Sequence, residues 1–277
     1  MNNKNNYKVF AFIIMTAIFF ITGCHKVEQT NPVALFGLHI HTSIGDSQIN
    51  PYSSLGEPLY QQEYPDSNGR YEYFTQANLY LSNISLHSTT KGWYTIPGSL
   101  ILQRIESEIY VVGNVPADTY DNIRFTVGLG TTLNNSAAAT TSGADTVLST
   151  ALNNEGIMYN GSANGYYFLS LTGFVDTSAA HNNNNPIPFS YQLGGAADTV
   201  QVSPAPASAS NTFTLVPNIP GAQLVHLMVD YGKLLQSFPI IAPTNVNSFT
   251  TPGSATPVWN LVPGIFRYEC SVPNGNC

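Results

Sequence analysis

Along one stretch of this chain Ile123, Phe125, Val127 and Leu129 alternate with Arg124, Thr126 and Gly128. A repeat of two puts one set on each side of an extended strand and cannot make a helical stripe, which needs a repeat of 3.6. Period-2 and short apolar segments recur between turn clusters of Gly, Pro, Asn, Asp and Ser, and nothing after the N-terminal segment holds a helical period for long. Strands are predicted at 35–41, 71–82, 99–103, 108–112, 122–129, 166–173, 189–193, 198–202, 212–216 and 224–229. One helical turn is expected at 231–235, weakened by Gly232. No internal repeat or linker divides the chain. The expectation is an all-β protein: a single antiparallel β-sandwich domain of about eight to ten strands with little helix. Long Asn/Thr/Ser-rich loops are expected at 130–165 and 182–185.

The N-terminus reads differently. Lys4 and Lys8 precede an apolar run, 9–21, that ends in Ile21-Thr22-Gly23-Cys24, a bacterial lipobox. The run is shorter than the ~20 residues a membrane-spanning helix needs. Residues 1–23 are therefore expected to be a lipoprotein signal peptide, Cys24 the acylated residue, 24–32 a lipid-anchored tether and 33–277 the folded domain. This places the chain outside the cytoplasm, anchored to the bacterial cell envelope, with the outer membrane as the expected site. Nine Lys and Arg, two of which leave with the signal, stand against sixteen Asp and Glu, which excludes the basic footprint of a nucleic-acid binder. Cys270 and Cys277 bracket SVPNGN, whose Pro-Asn-Gly favours a tight turn, and in an oxidising compartment a disulfide between them is expected. The competing reading, a pair of soft metal ligands, would need further thiols or imidazoles nearby, and none is local.

Among chemical motifs, Gly45-Asp46-Ser47 follows a hydrophobic strand as the nucleophile does in GDS-type esterases, but no histidine has Asp three residues before it. Without a base to take its proton a serine is a poor nucleophile, and the chain is not expected to be an enzyme. No phosphate-cradling loop, H-E-x-x-H motif or acidic calcium loop is present. The histidines are more informative. His39 and His41 sit two apart in a predicted strand, so both imidazoles leave from one face and can approach one ion. His226 lies in a second apolar strand on the face shared with Met228, and a buried imidazole there needs a hydrogen bond or a metal. Ligands of one ion must converge, so donors more than about 6 Å apart would remove the basis for a site.

Several segments come in a telling order: 36–46 (FGLHIHTSIGD), 79–86 (LYLSNISL), 115–129 (VPADTYDNIRFTVGL), 165–173 (GYYFLSLTG), 189–195 (FSYQLGG) and 225–235 (VHLMVDYGKLL). Together they resemble the MbnP-like family, extracytoplasmic β-sandwich proteins named for a methanobactin-associated copper-binding protein, many of them lipoproteins of Bacteroidetes. The resemblance implies copper held by histidines together with an oxidised tryptophan, a kynurenine, made with help from a MauG-like dihaem partner. This sequence departs from that pattern. The tryptophan-bearing motif corresponds to 156–165, which has Met158 and Tyr159 but no tryptophan, and Trp93 and Trp259 lie elsewhere. A kynurenine at the family position is excluded. A histidine common in the family's F-x-Y-H-x-G stretch is Gln192 here.

The ligands expected are therefore His39 and His41, then His226, then Met158, with copper the metal. The rival expectation is a cell-surface binding or adhesion module with a degenerate metal site and a glycan or protein ligand. Asn83 and Gly128 are expected at turns or close packing, and Tyr80, Tyr120, Tyr166 and Phe168 in the interior. Two Asp-Thr-Val tripeptides, 145–147 and 198–200, fit a short O-glycosylation pattern of low specificity.

Overall fold

Alternation sorts the first strand, β1 (Val33–Ile44), onto two faces: Phe36, Leu38 and Ile40 are fully buried, whereas His39 and His41 stay partly exposed. The computed structural model describes residues 32–44, 47–49, 64–65, 69–134, 151–152, 158–176, 178, 180, 186–195, 199–204, 212–237, 245–247 and 256–271. The strands that follow are β2 (Ser47–Ile49), β3 (Tyr64–Pro65), β4 (Tyr71–Ser88), β5 (Gly92–Thr95), β6 (Leu100–Arg104), β7 (Ile109–Pro116) and β8 (Asp118–Val127). After a single turn, α1 (Thr131–Asn134), come β9 (Tyr167–Asp176), β10 (Pro186–Gly194), β11 (Val200–Val202), β12 (Phe213–Leu215) and β13 (Gln223–Asp230). Helix α2 (Gly232–Ser237), β14 (Asn245–Asn247), α3 (Thr256–Ile265) and β15 (Phe266–Ser271) complete the described elements.

Two sheets result. One runs β15-β13-β1-β2 with β7 also on β1; the other runs β11-β8-β4-β9-β10-β14, with β3, β5 and β6 on β4 and β12 on β8. The all-β sandwich expected from the sequence is the observed architecture, and all ten predicted strands are present. Most pairings are antiparallel, but β1 with β13 and β10 with β14 are parallel. Period-2 patterning reports which residues face the core and is silent on strand direction.

The sheets meet through apolar side chains. Phe125 of β8 and Phe266 of β15 pack edge to face at 4.9 Å. Tyr80, Tyr120, Tyr166 and Phe168 fill the interior as expected, each no more than 1% exposed. One polar pin crosses the core: Gln103 of β6, fully buried, donates from Nε2 to Thr42 Oγ1 of β1 at 3.1 Å and accepts from the Tyr231 hydroxyl at 2.6 Å. Asn83, at φ 53°, sits where the β4–β8 register shifts. Asn tolerates the left-handed region, so the strand continues to Ser88 rather than stopping near 82. A Cβ on Gly128, at φ 116°, would lie 2.8 Å from the Phe168 ring, which makes it the close-packing position its sequence suggested.

Helix α3 and strand β15 were not predicted from the sequence. Val258, Trp259, Val262 and Ile265 form the buried face of α3, a helical stripe interrupted on paper by Pro257, Pro263 and Gly264. Pro near the first turn is compatible with a helix start. The helical turn expected after Asp230 is α2. Cys24, Cys277, the Asp145 to Val147 tripeptide and the run 182–185 lie outside the described residues.

Candidate metal centre

The parallel pairing of β1 with β13 assembles the site. Its register sets His39 opposite His226 and His41 opposite Met228, and in a parallel pair opposed residues share a face. The core-facing set is Phe36, Leu38 and Ile40 on β1 with Val225, Leu227 and Val229 on β13, all fully buried. The histidines and Met228 therefore leave from the opposite, outer face. Residues far apart in the sequence become neighbours only because the two strands align in this register.

The imidazoles converge. Ring centroids are 4.2 Å apart for His39 and His41, 4.4 Å for His39 and His226, and 5.7 Å for His41 and His226. One nitrogen from each lies within 4.8 Å of the other two, inside the limit set by the sequence argument. Nitrogens bound to one ion at about 2 Å sit roughly 3.4 Å apart, so modest side-chain rotation closes the set. His226 is only 7% exposed, yet neither Nδ1 nor Nε2 has a hydrogen-bond partner among the described residues. Burial, with His39 and His41 alongside, lowers its pKa to about 4. At neutral pH His226 is uncharged and keeps a free lone pair.

Two carboxylates border the trio. His41 Nδ1 donates to Glu269 Oε2 at 2.7 Å, and His39 Nε2 donates to Glu108 Oε2 at 3.2 Å. The hydrogen bond to Glu269 raises the His41 pKa above its ordinary value against the opposing effect of burial. The same bond holds the Glu269 carboxyl below the usual carboxylate range. Arg267 Nη2 lies 3.8 Å from Glu269 Oε1 and 2.8 Å from the Met228 sulfur, so the thioether at the rim is already engaged by a guanidinium.

Of the four ligands expected from sequence, three meet and one does not. Met158 is 1% exposed in the hydrophobic core, its carbonyl accepting the Tyr167 N–H at 2.7 Å beside β9 of the other sheet. Its burial among core side chains, with the trio on the outer face of β1 and β13, separates it from the imidazoles. The thioether on the histidine face is Met228. Sequence reasoning also missed Glu108, Glu269 and Arg267. Glu108 stands at the edge of a predicted strand, but Arg267 and Glu269 belong to the unpredicted β15. Trp93 is on β5 with the Arg124 guanidinium 4.0 Å from its ring, and Trp259 is on α3. Ser47 is in β2, whose backbone pairs with the end of β1. Cys270 lies on β15 opposite His226 in register.

The sequence matches the MbnP family over residues 36–252. The chain belongs to the MbnP family. The match spans β1 through β14 and so includes all three histidines. MbnP from Methylosinus trichosporium is a similar solved structure, with a TM-score of 0.45 and 12% identity over 71% of this chain and 76% of that one. No curated protein matches. In this MbnP-family chain a cluster of three imidazoles able to hold one metal ion stands on a sheet face, flanked by two carboxylates.

Proposed function

We propose that this protein binds copper, or another soft late transition-metal ion, through His39, His41 and His226, as a binding protein rather than an enzyme. The observation that carries the reading is His226, a buried imidazole whose ring nitrogens have no hydrogen-bond partner among the described residues, with two more imidazoles within reach. An unsatisfied buried polar group costs roughly 1–3 kcal/mol, and a bound ion would supply the missing partner. Three neutral nitrogens leave one position of a tetrahedral ion open. Imidazole suits copper, zinc, iron and nickel, and Met228 at the rim adds a soft donor that favours Cu(I) if Arg267 releases it. The rival of an adhesion module with a decayed site does not account for three convergent histidines.

Signal residues 1–23 leave, lipid on Cys24 holds the protein to the envelope outside the cytoplasm, and residues 24–32 form the tether. A Cys270–Cys277 disulfide closes the C-terminus, which leaves imidazole and thioether as the metal donors. A MauG-like dihaem partner is proposed from family resemblance, without the motif tryptophan as its target.

Metal analysis of protein from copper-supplemented cells tests this reading. Wild type should retain copper, and both His226→Ala and the His39→Ala/His41→Ala pair should lose it. Equal copper in wild type and variants would end the ligand assignment.

A further inference from the structure

We infer that Glu108 and Glu269 are positioning residues that hold His39 and His41 in opposite tautomers, so that His39 offers Nδ1 and His41 offers Nε2 to a common point. The inference rests on the metal-binding reading above and specifies how that site is prepared before any ion arrives.

A carboxylate oxygen only accepts, so the ring nitrogen it touches carries the hydrogen and the other nitrogen of a neutral imidazole carries the lone pair. Glu269 takes Nδ1 of His41 and Glu108 takes Nε2 of His39. The free lone pairs are then Nε2 on His41 and Nδ1 on His39.

Strand geometry gives this inversion a purpose. Residues two apart on one strand are separated by about 6.7 Å along it, and like rotamers in like tautomers would point their lone pairs in parallel. Here the rings lie 4.2 Å apart with their planes at 70°, each turned by its carboxylate. Opposite nitrogens let neighbouring rings aim at one point.

Both glutamates are held where their side chains can reach the rings. The Glu108 carbonyl accepts the Ile40 N–H at 2.7 Å, which ties that residue to the backbone between the two histidines. On β15 the register steps from Cys270 opposite His226 to Tyr268 opposite Leu227, so Glu269 is the extra residue of a bulge. Bulges re-aim side chains, and this one delivers Glu269 to the outer face beside His41. Arg267 steadies its second oxygen from 3.8 Å. Carboxylates that orient ligating histidines in this way change metal affinity by about 10- to 100-fold when removed.

The test has two arms on the full chain. Long-range proton–nitrogen NMR correlations of the metal-free protein, recorded at a pH above the raised His41 value so that the ring is neutral, should show His41 protonated at Nδ1 and His39 at Nε2, and Glu269→Ala should lose the His41 preference. Titration with Zn²⁺ alone as a redox-silent probe should show Glu269→Ala and Glu108→Ala each binding about 10- to 100-fold more weakly. Glu269→Gln, whose amide oxygen can still accept from Nδ1, should recover most of the affinity. Neutral His41 protonated at Nε2 alone in the metal-free wild type, or Glu269→Ala binding Zn²⁺ within about twofold of wild type, would overturn the inference. If the wild type takes up no metal, the binding reading fails, and the tautomer spectrum alone decides the positioning claim.

Discussion

Replacing His226 by Leu in the metal-free protein should remove a specific loss of stability in mild acid. In the folded protein burial and the neighbouring His39 and His41 hold His226 near 4, against 6.5 ordinarily. That difference makes protonating the folded form about 3 kcal/mol harder than protonating the unfolded chain. As pH falls below the ordinary value the unfolded chain takes up a proton that the folded protein refuses, so stability drops until the folded value is reached. Between about pH 7 and pH 5 the loss is roughly 2 kcal/mol, and it reaches about 3 kcal/mol near pH 4. His41 acts in the opposite direction: its raised pKa, caused by Glu269, contributes stability that is complete below the ordinary value and lost as pH rises through the folded one. That contribution is common to both proteins and largely cancels in the comparison. Leu also removes two ring nitrogens that have no hydrogen-bond partner among the described residues, worth a further ~1–2 kcal/mol in its favour at neutral pH. Urea unfolding of chelator-treated wild type and His226→Leu across this pH range measures the difference. Parallel stability curves for the two proteins would show that His226 is not held neutral by its surroundings.

Three further outcomes follow from packing and charge. Gly37→Ala would place a Cβ 2.8 Å from both the Tyr110 carbonyl oxygen and Leu224 Cδ2; since a paired carbonyl cannot yield without moving β7, a loss of about 1–3 kcal/mol is expected in urea unfolding. Tyr231→Phe removes the donor to Gln103 Oε1 and leaves that buried oxygen unpaired, which should cost about 1–3 kcal/mol by the same measurement. The Thr119 N–H, aided by Ser88 and Lys91, holds the Asp118 carboxyl below the usual range against burial. It therefore contributes stability above the ordinary carboxylate value that is lost as pH falls through the folded one, and Asp118→Asn should flatten the acid limb of the stability curve.

Much of the fold was legible because burial writes itself into a strand as alternation. Ile123, Phe125 and Val127 are all fully buried, and the polar residues between them on β8 are not. What alternation omits is direction and register. The parallel alignment of β1 with β13 depends on which strands meet after the chain has traversed the other sheet, and no local pattern encodes that. Helix α3 was hidden for a different reason: its apolar stripe is short, and two prolines and a glycine punctuate it.

The site divides along the same line. That His39 and His41 share a face was readable from the chain, because a strand's side chains repeat every two residues, and so was His226 as an imidazole in an apolar strand needing a partner. Family resemblance extended the fold expectation to most of the chain. Folding in three dimensions then brought the three rings together, placed Met228 rather than Met158 beside them, and set Glu108 and Glu269 at their border. Those outcomes depend on contacts across 69 and 228 positions of sequence, and such contacts are set by how whole strands pack, which local periodicity cannot carry.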